Sequence, residues 1–134
     1  MIKRDRYLEK LVGRIDDPRV KVVTGLRRCG KSYLLFGIFR AWLRRHGYDD
    51  AHIVAIQLDD DDAAEQRVPR ALSAWIKARL PKDGGKCIVM IDEIQMCKPP
   101  DGAPANDVTF YDVLNSLRKK KGVSVYVTGS NSEM

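Results

Sequence analysis

Residues 22–35 read VVTGLRRCGKSYLL, and this stretch constrains the fold of the chain more than any other. A β-branched apolar run, VKVVT at 20–24, breaks at a glycine. Five residues later a second glycine leads into Lys-Ser and then into apolar residues at helical spacing. Gly25, Leu26, Arg27, Arg28, Cys29, Gly30, Lys31 and Ser32 spell G-x-x-x-x-G-K-S, the spacing of a phosphate-binding loop, or Walker A motif. Such a loop needs a strand before it and a helix after it. The backbone N–H groups from Gly25 to Tyr33 then point inward at the positive end of a helix dipole, where an anion is stabilised. Gly25 and Gly30 allow backbone angles and a close approach that a side chain would forbid. Lys31 is placed to bridge the β- and γ-phosphates of a nucleotide, and the Ser32 hydroxyl to ligand Mg²⁺. A glycine-rich turn ahead of an ordinary helix is the plain alternative, and the flanking strand and helix patterns argue against it.

The rest of the chain alternates in the same manner. CIVMI at 87–91 is a continuous apolar run suited to a strand buried on both faces, and HIVAIQL at 52–58 and VSVYVT at 123–128 are two further strands. Leu34, Leu35, Ile38, Phe39 and Trp42 mark one face of a helix from Lys31 to about Arg45, with Gly47 as its stop. Leu72, Trp75, Ile76 and Leu80 mark a second helix, starting at Pro69 and ending near Pro81. Phe110, Val113, Leu114 and Leu117 mark a third, capped by Thr109. The order β-α-β-α-β-α-β predicts one α/β domain with a parallel sheet and helices on both faces. At 134 residues the chain has room for one such domain.

A second motif stands 61 residues beyond Lys31, where CIVMIDEIQ places Asp92 and Glu93 at the end of the most apolar strand. This is a Walker B pattern. Ligands of open α/β sheets sit in the crevice outside the carboxyl ends of the strands, so Asp92 is positioned to hold Mg²⁺. Glu93 is then the base that orients or deprotonates an attacking water. The plain alternative is an acidic pair that caps the strand and solvates a turn.

Charge and cysteine content narrow the class. The net charge is +6, and from residue 19 to 48 there are eight Lys or Arg and no acid, whereas residues 59–62 are four aspartates in a row. The basic stretch could meet nucleic acid, but it overlaps the loop, where its charge already has a phosphate to face. The aspartates read as a solvated acidic loop, with a part in metal or substrate binding as the alternative. Cys29, Cys87 and Cys97 form no C-x-x-C pair and support neither a disulfide framework nor a zinc site. Cys29, beside arginines, reads as an inert thiol rather than a redox switch. No signal-like or membrane-spanning run is present, which predicts a cytoplasmic protein without membrane contact.

Together VVTGLRRCGKSYLL, CIVMIDEIQ, YDVLNSL and VYVTGSNSEM resemble the AAA-type ATPase domain of a large, poorly characterised bacterial and archaeal family whose members usually carry a C-terminal domain of unknown role. The resemblance runs from about Ile2 to Met134. It implies a P-loop NTPase three-layer α/β/α sandwich of the additional-strand, catalytic-glutamate type, strand order 5-1-4-3-2, with residues 1–134 as the N-terminal portion of one ATP-binding domain. Glu93 and Lys31 then serve catalysis, and Ser130 and Asn131 are the polar sensor after the last strand. Arg4 and Tyr7 are implied to flank the adenine; the residues alone suggest an amphipathic helix burying Tyr7, Leu8 and Leu11. Against that family pattern, the chain stops just after the sensor. The fifth strand, an arginine finger, a second sensor and the C-terminal domain are expected from further sequence or from other subunits. Without them the first strand becomes a sheet edge and the isolated chain turns over slowly. The expected function is Mg²⁺-dependent ATP hydrolysis driving an attached or partner domain. A nucleotide-operated switch with little turnover, or a P-loop small-molecule kinase, is the alternative.

Overall fold

The computed structural model describes residues 2–23, 33–83 and 85–129, with side chains described for 8–23, 35–83 and 85–129. A helix α1 (Ile2–Gly13) precedes the strand β1 (Lys21–Val23). A π-helical segment (Tyr33–Phe39) runs directly into α2 (Arg40–Arg45), and a short 3₁₀ turn (Asp50–His52) leads to β2 (Ile53–Gln57). A second 3₁₀ segment (Asp61–Arg67) precedes α3 (Pro69–Arg79), which is followed by β3 (Cys87–Asp92), α4 (Phe110–Arg118) and β4 (Val123–Thr128).

The four strands form one all-parallel sheet in the order β1-β4-β3-β2. β4, last in the chain, is inserted between β1 and β3, so the two central strands are also the most apolar. Every residue of β3 is buried, and so are the last five of β4, as the continuous apolar runs predict. β1 and β2 are the edges among the described residues. Val22 of β1 is 48% exposed, in keeping with the expected edge position of that strand.

Two cores sandwich the sheet. On one face Leu72 and Ile76 of α3 and Val113, Leu114 and Leu117 of α4 pack on Val54, Ile56, Val89, Ile91, Val125 and Val127. On the other, Leu11, Leu35, Phe39 and Leu43 pack on Ile53, Ile88, Met90 and Tyr126. Tyr126 lies wholly inside this second core. Its ring centroid is 4.9 Å from that of Phe39, and its hydroxyl donates to the Leu11 carbonyl at the end of α1 over 2.5 Å. Burial raises its phenol above the usual range, and the hydroxyl donates rather than ionises. The ammonium of Lys21, also buried, is satisfied by the Asp17 carbonyl and the Ser124 hydroxyl, each at 2.8 Å. Desolvation lowers its pKa, since burial disfavours the charged form.

The helix expected from Lys31 to Arg45 differs in one respect: its first part is π-wound over Tyr33–Phe39 and only Arg40–Arg45 is α-helical. The buried residues Leu35, Phe39 and Leu43 recur every four positions. That is between the 3.6 of an α-helix and the wider π repeat, so a pattern of apolar residues cannot separate the two windings. Gly47 is the expected stop. Its φ is +95°, and the Tyr48 N–H reaches back to the Leu43 carbonyl at 3.0 Å, closing a left-handed C-terminal cap. Thr109 caps α4 as expected, with the Asp112 carboxylate accepting from both its N–H and its hydroxyl.

Candidate active site at the strand tips

β3 ends at Asp92 and β4 at Thr128, side by side, because Ile91 pairs with Val127 in the preceding register. Asp92 is 1% exposed and Thr128 is fully buried. The Thr128 hydroxyl donates to Asp92 Oδ1 and accepts from the Glu93 N–H over 3.0 Å. One hydroxyl thus serves both acidic residues. It holds the carboxylate of the first and the backbone of the second. The Asp92 carbonyl accepts from the Leu58 N–H at 3.1 Å, tying the tip to β2 as well.

The chain turns sharply after Asp92. Glu93 has φ 56° and ψ 54°, and it is the one non-glycine with positive φ among the described residues. For an L-residue with a long side chain this conformation costs about 1 kcal/mol or more, and such strain persists where the surroundings over-determine it. Here the Glu93 N–H is held by Thr128, and a 3₁₀ turn (Ile94–Met96) follows at once. Gln95 donates from Nε2 to Glu93 Oε1 over 2.6 Å, so the carboxylate is held by a neighbour in its own turn. Ile94 and Cys97 are buried and anchor the turn from below.

Val23, the last residue of β1, is in register with Thr128. The strand that feeds the glycine-rich loop therefore ends level with Asp92 and one strand beyond its neighbour, about 10 Å across the sheet. Gly25, Leu26, Arg27, Arg28, Cys29, Gly30, Lys31 and Ser32 lie outside the described residues, as do Ser130 and Asn131; of Tyr33 only the backbone, opening the π-helical segment, is described. Likewise Arg4 and Tyr7 fall within α1, whose side chains are described only from Leu8. Asp92 closes β3 and Glu93 opens the turn that follows it. The aspartates at 59–62 are exposed as expected, but Asp60 caps and Asp61 and Asp62 open the 3₁₀ segment rather than lying in a loop. Cys87 and Cys97 are free and buried, and desolvation pushes their thiols up to about 11 and about 12.

Reading the sequence alone missed Thr128 and Gln95. Both lay inside quoted motifs, and a lone hydroxyl closing an apolar strand beside an Asp-Glu pair was the available signal. The donor set suits Mg²⁺. That ion takes one or two protein oxygens and completes its shell with water and phosphate. A single oriented carboxylate is such a donor, and no cluster of three His, Cys, Asp or Glu ligands occurs among the described residues. No helix of the described residues is long and apolar enough to cross a membrane.

Comparison with known proteins agrees with this architecture. The sequence profile of a family described as an AAA domain matches residues 17–134. A protein of Haemophilus influenzae, itself described only as uncharacterized, is 27% identical over 134 residues, covering 100% of this chain and 31% of its own length. The chain thus spans about a third of that relative.

Proposed function

Because the chain belongs to the AAA domain family, whose members are nucleotide-binding ATPase-type domains, we propose that it binds ATP with Mg²⁺ and hydrolyses it to drive an attached or partner domain. The observation that carries this reading is the Thr128 hydroxyl joining Asp92 to the Glu93 backbone at the carboxyl ends of the two central strands, level with the end of β1. A water-activating carboxylate and a metal-holding carboxylate must be held apart and aimed differently. A strained turn locked by a buried hydroxyl does that.

In this mechanism the loop of residues 25–32 cradles the phosphates and Lys31 supplies a point charge on the β- and γ-groups. Ser32 and Asp92 would hold Mg²⁺, which would supply positive charge beside the phosphates. Glu93, positioned by Gln95, accepts a proton from the attacking water or orients it toward the γ-phosphorus. Ser130 and Asn131 follow β4 and sense the γ-phosphate. The strand Cys87–Asp92, buried along its whole length, carries the Asp92 carboxylate rigidly, and Glu93 opens the turn directly after it.

The test is nucleotide binding and phosphate release in three variants. Lys31→Ala should abolish tight ATP binding. Asp92→Asn should remove the Mg²⁺ dependence of binding. Glu93→Gln should bind Mg-ATP normally and release phosphate roughly 10² to 10⁴ times more slowly. Phosphate release by Glu93→Gln at the unaltered rate would remove Glu93 from the chemistry, and unchanged ATP affinity in Lys31→Ala would sink the nucleotide site.

A further inference from the structure

Among the described residues β2 is an edge strand whose outer side opens on a cavity. The Leu58 N–H donates to the Asp92 carbonyl, which sets the phase of the ladder. In a parallel pair alternate residues point to the neighbour, so Val54, Ile56 and Leu58 face β3 and the main-chain groups of Ala55 and Gln57 face outward. The Gln57 carbonyl is taken by the Asp60 N–H at 3.1 Å. The Ala55 N–H, the Ala55 carbonyl and the Gln57 N–H have no partner among the described residues. They line a hollow of about 260 Å³, walled by Phe36 and Arg40 from one layer and by Gln66 and Trp75 from the other. The buried Arg40 Nε also lacks a hydrogen-bond partner among the described residues. Unpaired donors and acceptors at the two-residue period of a strand, between two side-chain walls, match one shape of ligand, an extended backbone.

We propose that the outer edge of β2 docks an extended polypeptide segment from a partner, which adds a strand beside Ala55 and Gln57 and carries Lys or Arg where it passes Asp60 and Asp62. Charge selects this occupant. Asp59, Asp60, Asp61 and Asp62 are exposed at the carboxyl end of the groove, and none forms an ion pair among the described residues. A second copy pairing antiparallel would set these aspartates against Asp49 and Asp50 at the start of its own β2, opposing like charges. Arg40 Nε donates to a carbonyl of the incoming chain.

The experiment titrates the chain with two blocked peptides, Lys-Val-Thr-Val-Lys and Glu-Val-Thr-Val-Glu, and follows amide exchange by NMR. The basic peptide should slow exchange at Ala55 and Gln57, and the acidic one should bind at least about fivefold more weakly. Ala55→Pro, an outward-facing edge position where proline is tolerated, should keep the β2–β3 amides protected and abolish peptide binding. Asp59→Lys with Asp62→Lys, both exposed and leaving the Asp60 cap of the 3₁₀ segment in place, should reverse the preference between the peptides. If neither peptide alters exchange at Ala55 and Gln57, or both bind equally, the proposal fails. A dimer in sedimentation that protects these amides without peptide would overturn it in favour of a second copy.

Discussion

At Glu93 a single backbone angle connects folding to chemistry. A glycine would adopt φ 56° without steric cost, so the glutamate is retained there against local preference. Glu93→Gly is therefore expected to raise stability by about 1 kcal/mol in urea melting while phosphate release is lost. A fall in stability would mean that the Gln95 contact outweighs the strain. Thr128→Val keeps the shape of the buried side chain and deletes the hydroxyl shared by Asp92 and the Glu93 N–H. Deleting that shared hydrogen bond should cost about 1–3 kcal/mol and weaken the Mg²⁺ dependence of ATP binding. Valine at 128 with unchanged stability and unchanged Mg²⁺ dependence would reduce Thr128 to a spectator.

Among the elements, those that are buried on one clear face were the legible ones. α3 starts at Pro69 and α4 at Phe110 as expected, because proline at a first turn and a Thr109–Asp112 capping box are local chemistry that needs no tertiary information. The sheet order, by contrast, followed from resemblance to a family. Nothing in VSVYVT says that it inserts between β1 and β3. The π winding of Tyr33–Phe39 was not legible either, since Leu35, Phe39 and Leu43 satisfy both periods. At the site, Asp92 and Glu93 announced themselves by charge at the end of an apolar run, whereas Thr128 acts only through its strand neighbour and so needed the register. The cap of α2 makes a test at this scale. Gly47 has positive φ and open space around a built Cβ, so backbone conformation alone decides the effect of substitution. Gly47→Ala should cost about 1 kcal/mol with no change in nucleotide affinity. An alanine variant as stable as the original would show that the helix end rearranges without loss.

Across the whole molecule, one contact far from the site couples stability to pH. His52 precedes β2, and its ring joins two segments: Nδ1 lies 2.5 Å from Asp49 Oδ1 and Nε2 lies 2.9 Å from Asp83 Oδ2, in the loop before β3. Asp83 is itself held by the Gly85 N–H at 2.8 Å. With carboxylates at both nitrogens, imidazolium is favoured, and the His52 pKa is raised, first by Asp49 and then by Asp83. The two aspartates are lowered, Asp49 mainly by His52, and Asp83 by the Gly85 N–H first and His52 second. A histidine raised in the folded state contributes stability fully below its unfolded pKa of about 6.5 and loses it as pH rises through the folded value. Lowered aspartates contribute above their unfolded value of about 3.9 and lose it as pH falls through their folded values. The clamp is thus strongest between about pH 4 and 6.5. His52→Gln keeps hydrogen bonding and removes the titration. The difference in melting temperature between the native chain and His52→Gln should be largest near pH 5.5 and should shrink steadily toward pH 8.5. His52 also lines a hollow with Tyr48 and Lys86, whose ammonium pairs with Asp16 at 3.3 Å. Asp49 and Asp83 are exposed, so adding salt should screen their attraction to the imidazolium and reduce the difference without moving its pH midpoint upward. A difference that is flat from pH 5.5 to 8.5 would mean that the imidazole stays neutral between its two carboxylates, and that the link between β2 and the β3 loop is made by packing alone.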